Sequence, residues 1–115
     1  MSIQFYGIPN CDTVKKARKW LEEQGVAYDF HDYKKEGADP NMLRHWAGAV
    51  GWEALLNRRG TTFRGLPEAD REGIDKAKAV ALMAAHPSLI KRPVVIYDNG
   101  LLVGFDTDQW DAALC

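Results

Sequence analysis

Two parts of the chain hold residue types that could do chemistry. Cys11 ends "YGIPNC" and opens "CDTVKKARKW", so it stands between a short apolar run and an amphipathic pattern. A thiol at a helix start meets unpaired N–H groups and the positive end of the helix dipole, which favour the nucleophilic thiolate. The same N–H groups suit an anion, or charge that builds on a substrate. Asn10 and Thr13, close to the thiol on either side, are candidate substrate contacts, whereas Asp12 is a carboxylate that opposes a thiolate. The competing reading makes Cys11 a small buried hydrophobe. Farther on, Arg58, Arg59 and Arg64 cluster around Gly60-Thr61-Thr62. They form either the lip of an anion site or a solvated loop, and "RRGTT" lacks the spacing of a P-loop.

The elements that must position these groups can be read from periodicity. Residues 3–7, "IQFYG", form a strand that runs into a turn at Gly7-Ile8-Pro9-Asn10. Val14, Ala17, Trp20 and Leu21 share one face of a helix over 12–24, with Lys15, Lys16, Arg18 and Lys19 on a solvated face and Gly25 as the stop. Residues 26–33 alternate as a second strand, and the polar stretch after it is a loop with Asp39 as N-cap and Pro40 as first helical residue. Helices are expected over 40–50, 52–56 and 68–85, with 57–67 irregular and the last ending at His86-Pro87. "PVVIYDNGLLVGF" predicts a hairpin with Asn99-Gly100 at its turn. A short helix, capped by Asp106 or Thr107, closes the chain. The four tryptophans fall on helix faces and are expected in the core.

The order β-α-β, helical insert, then β-β-α predicts an α/β, thioredoxin-like fold with a small mixed sheet. The expected core is approximately residues 1–36 and 87–115, and the insert approximately 37–86. In that fold the X-Pro pair entering the hairpin faces the thiol in the cis form. Arg92 and Pro93 occupy that place, which makes Arg92 a permanent cation able to bind an anionic group.

"YGIPNCDTVKKARKWL", "LLNRRGTTFR" and "HPSLIKRPVVI" together resemble the arsenate reductase/Spx (ArsC-like) family, and within it the YffB-like branch, from about residue 3 to residue 114. The resemblance implies that Cys11 is the catalytic thiol and Arg92 an active-site arginine beside cis Pro93, with Arg58 and Arg59 as further substrate contacts. Arsenate reductases of this family use three arginines. Here the first falls at Asn57 or Arg58 and the last near Phe105, so a doubly charged oxyanion would meet too few cations. Spx-type regulators carry C-x-x-C, but position 14 is Val14. The expectation is therefore a thiol oxidoreductase with a single active-site cysteine, using glutathione through a mixed disulfide that a second glutathione or glutaredoxin resolves. Its substrate would be a small anion or thiol. A true arsenate reductase that recruits Arg64 and an Spx-like binding module are the alternatives.

Fifteen basic against sixteen acidic residues leave a net charge of −1, which gives no global field for nucleic acid. No apolar run reaches membrane-spanning length, and the start lacks a secretory pattern, so a cytoplasmic, monomeric protein is expected. Two cysteines at opposite ends argue against a disulfide framework, and the histidines show no ligand spacing, so neither a metal nor a permanently bound cofactor is expected. Cys115 is expected to have no role.

Overall fold

The computed structural model of the chain describes residues 3–98 and 100–114, and of Lys34 the backbone. Contacts divide it into two units, one built from the described residues up to Tyr33 and from Arg92 onward, the other from Lys34–Lys91.

In the first unit the elements are β1 (Ile3–Gly7), α1 (Asp12–Glu23), β2 (Tyr28–Asp32), β3 (Val94–Tyr97), β4 (Gly100–Val103) and α8 (Thr107–Leu114). The sheet order is β2-β1-β3-β4. β1 is central, parallel to β2 and antiparallel to β3, and β4 closes the hairpin antiparallel to β3. This is the mixed α/β, thioredoxin-like sheet that the element order predicts. The alternate residues Phe5 and Val95 pack with Val14, Ala17 and Leu21 of α1 and with Trp110 of α8, all fully buried. Trp110 meets Phe5, Trp20 and Phe105 edge-on at centroid distances of 6.2, 6.0 and 4.9 Å. Its indole N–H donates to the Gly104 carbonyl at 3.0 Å. Gly104 has φ +77°, a left-handed conformation that glycine adopts without strain.

Several local expectations change. Tyr97 pairs with Gly100, so Gly100 belongs to β4 rather than to the turn, and the expected turn residue Asn99 lies outside the described residues. Arg18 is half-buried, not solvated. Its guanidinium lies 4.2 Å from the Phe30 ring centre, and its Nε donates to the Tyr28 hydroxyl at 3.0 Å. Asp106 is the cap of α8, its Oδ1 accepting from Asp108 and Gln109 N–H.

The second unit contains α2 (Tyr33–Glu36, its first residue belonging to the other unit), α3 (Pro40–Val50), α4 (Trp52–Leu55), α5 (Thr61–Arg64), α6 (Glu68–Arg71), α7 (Lys76–Ala85) and a 3-10 turn, Pro87–Leu89. Asp39 caps α3 by accepting from Asn41 N–H, and Asp75 caps α7 by accepting from Lys78 N–H. The expected helix 68–85 is thus broken. Gly73, with φ +59°, and the new cap at Asp75 separate α6 from α7. The buried face of α7 is Ala79, Val80 and Met83, whereas Ala77 and Ala81 are exposed. Within the expected irregular stretch 57–67, Thr61–Arg64 turns helical.

The unit begins before the expected residue 37 and ends after residue 86. Tyr33–Glu36 is helical, where residue 33 was expected to end the strand and residues 34–36 to be loop, and the 3-10 turn and an antiparallel bridge between Leu56 and Ile90 tie residues 87–91 to the helices. Trp46 is buried as expected, but Trp52 is half-exposed.

Candidate functional site

Cys11 owes its place to the turn after β1. Its N–H donates to the Ile8 carbonyl at 3.2 Å, and its own carbonyl accepts from Lys15 N–H at 2.9 Å, the first bond of α1. With φ −102° and ψ 127° it is the N-cap of a twelve-residue helix, and its side chain makes no capping bond. The thiol is free and half-buried against the core cluster, so it is neither a frayed surface group nor a sealed core hydrophobe. Asp12, Thr13 and Asn10 are exposed, and Val14 is fully buried. Gly7 brings the strand end close to the first turn of α1. A Cβ there would lie 3.0 Å from Val14 Cγ2.

Sheet topology carries Arg92 to the same end of this unit. β3 runs antiparallel to β1 with Val94 opposite Tyr6, so the segment entering β3 lies where β1 leaves the sheet toward Cys11. The Arg92–Pro93 bond is cis. Pro93 is buried, and its carbonyl accepts from Gly104 N–H at 2.8 Å, which links it to the residue that receives the Trp110 indole. Arg92 is half-buried.

Tyr33 was not singled out by sequence. It is buried and stacked on Tyr6 at 6.2 Å, and Tyr6 in turn stacks on His31 at 4.5 Å. Burial, with the Tyr6 hydroxyl adding, pushes the Tyr33 hydroxyl far above the ordinary tyrosine range, while the Arg92 guanidinium pulls it back down. Arg92 therefore lies within electrostatic reach of a tyrosine that stays protonated. An alternating pattern that ends at Tyr33 gives no hint of this, because it reads as one more strand residue.

Arg58 and Arg59 belong to the second unit. Leu56 bridges Ile90, Lys91 N–H donates to the Leu55 carbonyl at 2.8 Å, and Asn57 N–H to the Leu89 carbonyl at 2.7 Å. This short ladder sets Asn57, Arg58 and Arg59 beside Lys91. Together with Glu53 and Leu56 they line a cavity of about 340 Å³. Asn57 Oδ1 accepts from Arg59 N–H at 3.1 Å, and Arg58 stands 5.6 Å from the Trp52 ring centre. Arg64 is exposed and does not line the cavity. Glu53 and Lys91 were missed, since single charges on an amphipathic turn and beside Arg92 look like solvated residues.

Comparison with known proteins adds family and fold. The model of the ArsC family matches residues 6–113. The solved structure of the YFFB protein is 55% identical, with a TM-score of 0.96 over 98% of this chain and 99% of that one. An arsenate reductase (ArsC) related protein from Brucella melitensis is 56% identical, with a TM-score of 0.78 over 97% of this chain and 93% of its own. An uncharacterized protein of Haemophilus influenzae is 43% identical over 111 residues, 96% of this chain and 97% of its own.

Proposed function

The chain belongs to the ArsC family, and we propose that it acts there as a thiol oxidoreductase that uses Cys11 alone, with glutathione as cosubstrate. The observation that carries this reading is the N-cap position of a free thiol whose possible resolving position is filled by buried Val14. A disulfide formed at Cys11 then has no neighbour on α1 to resolve it, and a diffusible thiol must do so.

The reaction runs in two exchanges. In the first, the Cys11 thiolate attacks the glutathione sulfur of a mixed disulfide between glutathione and a second thiol. The S–S bond breaks, the second thiol leaves as thiolate with both electrons of that bond, and Cys11 becomes glutathionylated. In the second, another glutathione thiolate, or that of glutaredoxin, attacks the glutathione sulfur on Cys11 and releases the Cys11 thiolate. With glutathione as resolver the net result is one thiol released and one glutathione disulfide formed, the proton lost by the resolving glutathione being the one that the released thiolate takes up.

Arg92 supplies the cation of this unit for a carboxylate of the tripeptide. Asn10 and Thr13 contact substrate at the start of α1, Pro93 shapes its seat, and Arg58 and Arg59 are the guanidinium groups that the second unit offers to a glutathione carboxylate. The protein works as a cytoplasmic monomer and takes small anionic or thiol substrates. Among the described residues, no helix is long and apolar enough to cross a membrane.

The test is turnover of a glutathione mixed disulfide coupled to glutathione reductase. Cys11→Ser abolishes it, and Arg92→Ala lowers kcat/KM about tenfold, the loss expected for one charge-assisted contact. Full turnover by Cys11→Ser excludes the reading.

A further inference from the structure

The cavity of the second unit has a charge pattern that a simple anion site does not need. Arg58, Arg59 and Lys91 bring three cations to it, and Glu53 brings a carboxylate to the same walls. Its volume of about 340 Å³ falls at the lower end of small-ligand sites and suits one amino-acid-sized group. The backbone that carries these exposed side chains is held in place. The ladder between Leu56 and Ile90 fixes the backbone, the Asn57 side chain holds the turn at Arg59, and Trp52 lies beneath Arg58. Gly60 is part of this arrangement, since a Cβ there would lie 3.0 Å from Asn57 Nδ2. A phosphate or lone carboxylate would gain from the cations and lose to Glu53. A ligand that carries a carboxylate and an ammonium on one carbon gains from both.

We infer that this cavity is a subsite for an α-amino-acid zwitterion, with Arg58, Arg59 and Lys91 holding the carboxylate and Glu53 the ammonium. The choice of ligand rests on the glutathione reading above, because the γ-glutamyl end of glutathione is a group of this chemistry. The charge pattern itself involves no step at Cys11.

The experiment measures binding without redox chemistry. Calorimetry on the full chain with Cys11→Ser uses glutathione and glutathione acetylated on its α-amino group. Acetylation and Glu53→Gln each weaken binding about fivefold, and combining them costs no more than either alone, because both remove the same exposed pair. Glu53→Gln binding glutathione equally or more tightly overturns the inference, since that is what an anion-only site does. Absence of glutathione binding overturns it as well. Adduct formation at Cys11 in the wild-type chain is read separately, so a chain that binds glutathione through Glu53 but forms no adduct overturns the proposed reaction and leaves the subsite standing.

Discussion

At the scale of single residues, the site of the first unit contrasts a thiol made accessible with a phenol held shut. Cys11 is half-buried as the N-cap of α1. Tyr33 is buried beside Tyr6 and within reach of Arg92, and its raised pKa makes a pH prediction whose sign is fixed. The unfolded chain releases this proton near pH 10, whereas the folded chain keeps it to higher pH. The unfolded state is therefore favoured progressively as pH rises above 10, and below that pH the group has no effect. Urea midpoints of the wild type fall between pH 9.5 and 11, and Tyr33→Phe flattens that fall. An equal fall in both proteins places the alkaline sensitivity elsewhere. Cys11 at a helix start was legible in sequence because strand, turn and helix each give a local signal, whereas the place of Arg92 was inferred through the expected fold. Tyr33 was not, since its role depends on a stack with a strand distant in sequence.

At the scale of elements, the approach of β1 to α1 decides where the thiol stands. Val14 is fully buried and β-branched, so it cannot turn aside for a new methyl group at residue 7. Gly7→Ala destabilises the protein by about 1 to 3 kcal/mol, read as a lower urea midpoint, because the strand end and the helix must part. An unchanged midpoint shows that the packing at this contact is loose. Periodicity located α1 and α3 within a residue or two, as their apolar stripes are strong and α3 is announced by its cap at Asp39. It failed over 68–85, where alanines on several faces blur the stripe and the cap at Asp75 starts a new helix. It also missed the one-turn helix Thr61–Arg64 within 57–67, which is closed by local bonds from Arg64 N–H to the Gly60 carbonyl and from Gly65 N–H to the Thr61 carbonyl.

At the scale of the whole molecule, the unit that holds Cys11 is assembled from both ends of the chain, and Lys34–Lys91 forms a unit of its own. The insert was legible as a run of helical patterns between two strand pairs. Its limits were legible only approximately, because residues 34–36 and 87–91 are assigned to it by contacts rather than by composition. The chain has two cysteines, Cys11 and Cys115, and the central claim is that the first alone carries the chemistry. The most direct measurement is peptide mapping by mass spectrometry after brief exposure of the intact protein to glutathione disulfide. The Cys11 thiolate displaces one glutathione thiolate and keeps the other half, so the account predicts one glutathione adduct, on the peptide containing Cys11, that added glutathione removes. An adduct on Cys115 with Cys11 unmodified contradicts it.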